Sequence, residues 1–312
     1  MPTLLQIVVE GNTGSTGTLA ETIGNVAIGA GWISYIAHGR FPRSSNSKTI
    51  RIESSLGLAL HVIETRLFDR HCLGSRLATR RLIKKIVEIE PDIIHLHHLH
   101  GYYININILF SFLAKAGIPV VWTFHDCWSI TGHCCHFDYI KCNKWLTECY
   151  DCPQLSEYPA SIFFDRSRKN YLLKKKLFTS VPNMTIVTVS NWLNNIVANS
   201  FLSGLTHVVI YNGIDTNIFS PNSNPKRVRE KFRIEDSFMI IGVASTWSNR
   251  KGLKDFISLS KLIDKEDVIV LIGLNNSQIN ELPRNIIGLK RTENQTELGE
   301  LYSAADVFIN FS

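Results

Sequence analysis

The amino-acid sequence predicts an α/β protein with doubly wound parallel sheets in two domains. Three observations lead to this class. Short apolar runs typical of buried strands alternate with segments of helical apolar spacing along nearly the whole chain. The first unit is a strand, a glycine-rich turn and a helix, as in doubly wound folds. A chain of 312 residues is longer than most single-core domains. A turn-rich stretch after residue 211 also separates two series of strands and helices.

Composition and charge narrow the class further. The 45% apolar and 19% charged residues are typical of a soluble globular chain with a large core. No apolar run reaches the roughly 18 residues of a membrane span, and the LLQIVV run near the N-terminus is too short for a secretory signal. We therefore expect a cytoplasmic protein, a compartment in which disulfides are rare.

The opening unit is a candidate anion site. A strand at residues 5–9 leads into a glycine-rich turn at 10–17, and a helix is predicted at 18–29. Free N–H groups at a turn and a helix N-terminus stabilise a phosphate. The glycine spacing is G-x-x-G-x-x-G, and the second strand, at 33–37, ends on His38-Gly39-Arg40 without an acidic residue for a ribose. An NAD site is therefore disfavoured, and a phosphate site or a simple tight turn remain.

The other elements of the first domain continue the alternation. Residues 40–55 form a polar loop, helices are predicted at 56–65, 75–89, 104–116, 161–180 and 192–199, and strands at 92–96, 119–124, 184–189 and 207–211. Ser190 is expected to cap the helix at 192–199.

Histidines accumulate where the strand at 92–96 ends. Four of them, including His98 and His100, lie between positions 95 and 100. A metal site is one interpretation of the H-x-H pattern, but no neighbouring carboxylate or cysteine completes it in sequence. Ligands of such sheets bind beyond the carboxyl ends of the strands, which favours polar groups lining a sugar-binding cleft.

The next strand ends on His125-Asp126 and opens into a cysteine-rich loop. Six of the seven cysteines lie between positions 127 and 152. A long loop inside a compact domain needs something to hold it, and four thiolates can bind a structural zinc ion. The predicted ligands are Cys134, Cys142, Cys149 and Cys152, with unligated thiols, a disulfide and an iron–sulfur site as alternatives.

Basic residues concentrate on two predicted helices. The first set is Arg76, Arg80, Arg81, Lys84 and Lys85, and the second is Arg166, Arg168, Lys169, Lys174, Lys175 and Lys176. Both sets interleave with apolar residues, which leaves two interpretations. The basic side chains either form a solvated helix surface, or they contact the inner surface of an anionic membrane peripherally. Nucleic acid is disfavoured, because no recognition motif accompanies the charge.

A second, shorter series follows the turn-rich stretch. Residues 212–236 are predicted as a linker, after which strands at 238–244, 268–273 and 306–311 alternate with helices starting at 253 and 295. Residues 237–312 thus read as part of a domain. Because the sequence stops in a strand, we expect this domain to be incomplete.

Seven segments together resemble the retaining GT-B glycosyltransferases of family 4, in particular those that assemble bacterial surface polysaccharides. They are the glycine turn at 14–17, PDIIHLHHLHGYY from Pro91, TFHDCWSITGHC from Thr123, VSNW from Val189, NGIDTNIF from Asn212, GVASTWSNRKGL from Gly242 and ELYSAADVFIN from Glu300. The resemblance implies two Rossmann-like domains facing a cleft. Residues 1–211 would be the acceptor side, and residues 237–312 would belong to the nucleotide-sugar side.

The resemblance also implies roles for individual residues. Four would bind the donor diphosphate: Gly14, Gly17, Arg250 and Lys251. His125 would contact the transferred sugar, with Asp126 orienting its imidazole, and His98 and His100 would line the acceptor cleft. Two departures stand out, namely Thr246 at a position where the family commonly has arginine, and the absence of the family's E-x7-E pair. The sequence as it stands is therefore expected to be inactive by itself.

The leading hypothesis is a hexosyltransferase that moves a sugar, with retention, from a nucleotide-sugar to a glycan or lipid-linked saccharide in polysaccharide biosynthesis. One alternative is a GT-B-type nucleotide-sugar epimerase, which would need acid and base carboxylates in the cleft. The other is a non-catalytic, zinc-stapled fragment that binds a glycan or a membrane.

Overall fold

The computed structural model describes residues 1–221 and 224–311. The chain forms two compact units, Met1–Asn212 and Gly213–Ser312. Each unit contains one sheet in which every strand pair is parallel. The predicted α/β class is confirmed.

The first unit contains a seven-stranded sheet in the order β3-β2-β1-β4-β5-β6-β7. Its strands are β1 (Thr3–Glu10), β2 (Ile33–Arg40), β3 (Lys48–Arg51), β4 (Ile93–Leu96), β5 (Val120–Phe124), β6 (Met184–Thr188) and β7 (Thr206–Val209). Its helices are α1 (Gly14–Gly29), α2 (Ser55–Phe68), α3 (Arg76–Ile89), α4 (Ile106–Ala116), α5 (Ser167–Phe178) and α6 (Asn191–Ala198), with 3-10 turns at Trp128–Ile130, Phe137–Ile140 and Lys144–Leu146.

Strand β1 lies inside this sheet, between β2 and β4, and most of its side chains are apolar. All but the last of its eight residues are buried, as expected for a parallel strand covered by helices on both sides. Beyond it, Trp122 packs against Phe110 and Phe178, with ring centroids 5.3 and 4.8 Å away. Ser190 accepts a hydrogen bond from the Leu193 N–H, so the predicted cap of α6 is confirmed.

The register brings two strand ends together. β4 pairs with β1 on one side and with β5 on the other, and Leu96, the last residue of β4, lies opposite Trp122. The chain order reverses direction about β1, and the carboxyl ends beside such a point form the usual ligand crevice. The residues after Leu96 and after Phe124 therefore share one edge of the sheet.

The second unit has a four-stranded sheet in the order β10-β9-β8-β11. Its elements are α7 (Pro225–Phe232), β8 (Met239–Val243), a 3-10 turn (Asn249–Lys251), α8 (Leu253–Leu259), β9 (Val268–Ile272), α9 (Asn276–Asn280), β10 (Ile286–Leu289), α10 (Gln295–Ala304) and β11 (Val307–Phe308). The guanidinium of Arg229 on α7 donates to Ala304 O, Ser237 O and Asp306, which ties this helix to the sheet.

Several elements differ from the sequence prediction. The predicted polar loop contains the short edge strand β3, whose exposed residues carry no apolar alternation. The predicted linker contains α7, which buries only Val228 and therefore lacks an apolar stripe, and positions 222 and 223 of that linker lie outside the described residues. Helix α5 begins at Ser167, six residues later than predicted. No helix in the described chain has the length and apolar character needed to span a bilayer.

Candidate functional site

The carboxyl ends of β4 and β5 form a cluster of histidine, carboxylate and aromatic side chains. His98 and His100 follow β4, and His125 and Asp126 follow β5. The parallel register brings both strand ends to the same edge. The structure thus brings these four predicted site residues together.

Asp126 is the acidic centre of this cluster. Its Oδ2 lies 2.6 Å from His100 Nε2 and 2.9 Å from His98 Nε2, and its Oδ1 accepts the Trp128 N–H at 2.8 Å. Burial alone would raise the pKa of Asp126, but the contacts with His100 and His98 hold it well below the usual range. The carboxylate is therefore ionised. The prediction that Asp126 orients His125 is not what the geometry shows, since its carboxylate contacts the two histidines of the neighbouring strand end.

His125 instead faces a second histidine. Its Nε2 lies 3.5 Å from His97 Nδ1, at the outer limit of a hydrogen bond, and His97 Nε2 lies 3.1 Å from Gln6 Oε1. Gln6 donates its amide nitrogen to Ala20 O at 2.7 Å, so its oxygen faces His97. His97 consequently carries its proton on Nε2 and offers Nδ1 as an acceptor to His125.

Burial keeps these imidazoles neutral. It lowers the pKa of His125 to about 3, with a further lowering by His98 and partial opposition from Asp126. Burial likewise places the pKa of His97 well below its ordinary value. A neutral His125 can donate or accept a hydrogen bond, but it does not supply a positive charge near neutral pH.

An aromatic wall covers the other side of His100. Its Nδ1 lies 3.2 Å from the Tyr158 hydroxyl, and its ring lies 5.5 Å from that of Trp128. His71 packs edge-on against Tyr102 and Trp128, and neither of its ring nitrogens has a hydrogen-bond partner among the described residues. Sequence reasoning missed Tyr158, His71 and Gln6. Only the strand position of Gln6, a polar residue inside a buried apolar run, offered a signal.

The structure does not support the predicted zinc site at Cys134, Cys142, Cys149 and Cys152. In the described chain, only one group of three or more His, Cys, Asp or Glu side chains brings its ligand atoms within 4.8 Å of one another, and it contains no cysteine. The members of that group are His98, His100 and Asp126.

Protein contacts hold the cysteine-rich loop. The buried Lys174 ammonium on α5 donates to Trp128 O at 2.6 Å and Thr131 O at 3.0 Å and lies 3.5 Å from the Trp128 ring centroid. Burial lowers the pKa of Lys174 to about 8. A fully buried pair joins His133 to Asp69 at 2.6 Å. The loop therefore has the anchors that the zinc hypothesis was meant to supply.

The glycine turn shows how closely α1 approaches β1. Gly14 has a positive φ of 65°, and a Cβ on Gly17 would lie 2.4 Å from Glu10 O, so Gly17 allows the helix and strand to pack. Thr13 precedes the helix without capping it, because its hydroxyl donates to Phe41 O. The carboxylate of Glu10 lies beside Gly14 and pairs with Arg40 at 3.4 Å, so the turn already has an acidic neighbour.

Arg250 and Lys251 lie in the second unit, on the 3-10 turn after β8. Both are half-buried, and Gly252 with φ of 76° follows them. Burial lowers the pKa of Lys251, and the adjacent Arg250 guanidinium lowers it further. Two adjacent cations on a turn are a suitable contact for a phosphate group.

Comparisons with known proteins place these features in context. Residues 44–218 match the profile of Glycosyltransferase Family 4. The putative colanic acid biosynthesis glycosyl transferase WcaC of Escherichia coli (strain K12) is 32% identical over 155 residues, which are 48% of this chain and 36% of that protein. The chain therefore aligns with only about a third of the length of this relative.

Solved structures show the same fold. Sucrose-phosphate synthase from Thermosynechococcus elongatus superposes with a TM-score of 0.69 at 13% identity, over 100% of this chain and 76% of that one. HepE from Anabaena in complex with UDP-glucose superposes with a TM-score of 0.60 at 14% identity, over 98% and 72%. At these identities the likeness concerns the architecture, which is that of GT-B proteins.

Proposed function

The chain belongs to Glycosyltransferase Family 4, and from this we propose that it transfers a hexosyl unit from a nucleotide-sugar to a glycan or lipid-linked saccharide with retention at the anomeric carbon. The observation that carries the proposal is the family match over residues 44–218, which contains the strand ends with His98, His100, His125 and Asp126. The relative described as acting in colanic acid biosynthesis supports a role in polysaccharide biosynthesis.

His125 is proposed to contact the transferred sugar. Its neutral imidazole is held by His97, and Gln6 fixes the orientation of His97 through the hydrogen bonds described above. A group oriented in this way loses little conformational freedom when it binds a sugar hydroxyl. Its role is therefore to position the sugar through a hydrogen bond, without transferring a proton.

Arg250 and Lys251 are proposed to bind the donor diphosphate. Negative charge grows on the phosphate as it leaves the sugar, and two fixed cations stabilise this charge more in the transition state than in the ground state. The departing phosphate can itself accept the proton of the acceptor hydroxyl, so no dedicated carboxylate base is required. Gly14 and Gly17 remain predicted contacts of a donor phosphate, on the resemblance alone.

His98 and His100 are proposed to line the acceptor side. They lie beside His125, with the His98 and His125 ring centroids 5.4 Å apart. His98 is 25% exposed in its side chain, so a bound saccharide could reach it. Imidazole nitrogens and the Tyr158 hydroxyl offer both donors and acceptors to sugar hydroxyls.

The test is a donor screen with the full-length protein. UDP-glucose is the first donor to offer, because a solved protein of this fold is described in complex with it. We expect donor-dependent transfer, with the anomeric configuration of donor and product compared by NMR. His125→Ala should lower turnover by roughly 100-fold or more, the scale of misplacing a reacting group.

The matched control is His207→Ala on strand β7. His207 bonds Asn194 at 2.9 Å, on the outer strand of the sheet, and its loss should leave turnover unchanged. Inversion at the anomeric carbon, or wild-type turnover in His125→Ala, would contradict the proposal. Interconversion of two nucleotide-sugars without any acceptor would favour the epimerase instead.

Helices α2 and α3 are proposed to contact an anionic membrane. Leu56, Leu60 and Ile63 lie exposed at helical spacing on α2. The basic residues of α3 (Arg76, Arg80, Arg81, Lys84 and Lys85) are also exposed. Apolar and basic side chains on neighbouring helices favour adsorption to anionic lipid. The second basic set is weaker than predicted, because Lys174 is buried.

Vesicle co-sedimentation tests this contact. We expect binding to phosphatidylglycerol vesicles that falls at high salt and is lost in Arg80→Glu/Lys84→Glu, while the exposed Lys265→Glu of the second unit binds normally. Equal binding to zwitterionic vesicles, or unchanged binding by the double variant, would exclude an electrostatic membrane surface on α3.

A further inference from the structure

We propose that His98, His100 and Asp126 bind a divalent transition metal ion of the Zn²⁺ class. The three ligand atoms, two imidazole nitrogens and one carboxylate oxygen, lie within 4.8 Å of one another at the ends of β4 and β5. Two imidazoles and a carboxylate suit zinc and its neighbours in the first transition row, whereas an all-oxygen set would favour Mg²⁺ or Ca²⁺.

Two of the three separations between the ligand atoms are close to those of ligands on one shared ion. Atoms that each lie about 2.1 Å from a metal at tetrahedral or octahedral angles are separated by roughly 3.0–3.4 Å. His98 Nε2 lies 2.9 Å from Asp126 Oδ2, and His100 Nε2 lies 2.6 Å from the same oxygen. Binding would therefore need only a few tenths of an ångström of opening at the closer pair.

His98 gives the geometric reason to place an ion here. Its Nε2 is buried and lies 2.9 Å from Asp126 Oδ2, but it is not aligned for a regular hydrogen bond with that oxygen. A buried nitrogen in a poorly aligned contact costs free energy, and a metal ion between the three ligand atoms would satisfy it. The well-aligned hydrogen bond to the same oxygen comes from His100.

Neighbouring groups hold two of the three proposed ligands, His100 and Asp126, in place. The Tyr158 hydroxyl lies 3.2 Å from His100 Nδ1, and the Trp128 N–H donates to the second oxygen of Asp126 at 2.8 Å. Metal-ligating histidines and carboxylates usually have such outer partners, which fix their orientation. The partial exposure of His98, 25% of its side chain, provides access from solvent.

Sequence reasoning set a metal aside at this H-x-H pattern because no carboxylate lies near it in the chain. The parallel register supplies one, since Asp126 follows the neighbouring strand. Three protein ligands leave at least one coordination position for an oxygen atom of a bound molecule. That this oxygen is the acceptor hydroxyl rests on the proposed transferase function, whereas metal binding itself does not.

The experiment is a titration of chelator-treated, fully reduced protein with Co²⁺ alone, followed by absorption spectroscopy. We expect one ion per chain with visible d–d bands and without the near-ultraviolet thiolate charge-transfer band that cysteine ligation produces. His98→Ala should weaken binding by more than the roughly 10–100-fold that loss of an outer partner costs. Tyr158→Phe should weaken it within that range, and His207→Ala should bind as the wild type does.

His98→Ala is the informative variant because His98 Nε2 has no well-aligned hydrogen bond to lose, so the fold should stay intact by circular dichroism. The absence of saturable binding in the wild type, a thiolate spectrum, or unchanged binding in His98→Ala would each overturn the proposal. Transferase activity enters none of these readouts, so the metal site and the proposed function fail separately.

Discussion

Replacing Lys174 with methionine tests how the loop under the cluster is held. Methionine keeps the length of the side chain but removes the ammonium that donates to Trp128 O and Thr131 O at 2.6 and 3.0 Å. Hydrogen bonds from a charged donor contribute about 1.5–3 kcal/mol each. The cation–π contact with Trp128 adds up to about 2 kcal/mol when it is desolvated.

The cost of burying the ammonium limits the net effect. The pKa of Lys174 falls from 10.5 to about 8, and a shift of roughly 2.5 units corresponds to about 3 kcal/mol. Methionine avoids this cost, but it leaves the Thr131 carbonyl without its donor. We therefore expect Lys174→Met to lower the free energy of unfolding of the first unit by about 2–4 kcal/mol.

The assay is urea denaturation at pH 7, with hydrogen exchange reporting on the loop. Lys175→Met is the matched control, because Lys175 is the next residue of α5 and is exposed. Exchange should increase around Thr131 in Lys174→Met and not in the control. If the two variants unfold at the same urea concentration, the loop is not anchored by Lys174 and the reasoning is wrong.

Three further predictions concern buried polar groups. Burial lowers the pKa of His61 from 6.5 to about 4, so the stability that neutral His61 contributes is fully present above pH 6.5 and is lost as the pH falls toward 4. Between pH 7 and 4.5, the free energy of unfolding of the wild type should fall by about 2.5 kcal/mol more than that of His61→Gln, as measured by urea denaturation. Equal losses in the two proteins would contradict this. A hydrogen bond from Cys134 lowers the pKa of Cys152. Cys152 should therefore be alkylated first by iodoacetamide at pH 7, and much more slowly in Cys134→Ala, which removes the donor, as measured by peptide mass spectrometry. Gln6→Leu removes the oxygen that accepts the hydrogen bond of His97 Nε2, and it should lower kcat roughly 10–100-fold with little change in KM. NMR should show that His97 no longer holds its proton on Nε2 alone. An unchanged His97 tautomer would exclude a positioning role for Gln6.

Local patterns predicted most strands and helices of the first unit because each carries its own signal. Buried strands such as β1 appear as continuous apolar runs, and the Ser190 cap is visible in three residues of sequence. The edge strand β3 and helix α7 carry few apolar side chains, so their formation depends on pairing and packing with distant elements. Such elements are set by tertiary context, which a window of sequence does not contain.

The sequence indicated where the candidate site lies, but not which of its side chains contact one another. That histidines and a carboxylate follow adjacent strands is readable from the chain, but which atoms meet depends on the register between strands. Asp126 meets His100 from 26 residues away, and Gln6 meets His97 from 91 residues away. The structure does not support the zinc prediction, and the loop anchors Lys174 and Asp69 lie outside the cysteine-rich segment.

The run of histidines after β4 separates into two pairs with different surroundings. The rings of His95 and His97 lie 4.1 Å apart, and their nitrogens contact Thr123 and Gln6 respectively. The rings of His98 and His100 lie 4.4 Å apart and face Asp126. Since side chains alternate along an extended backbone, residues two apart share a face, and one strand end can supply both sets. His97 of the inner pair contacts His125, and the outer pair supplies the proposed ligand atoms. Substitutions in the inner pair should therefore change turnover without changing cobalt affinity, whereas His98→Ala should change the affinity directly.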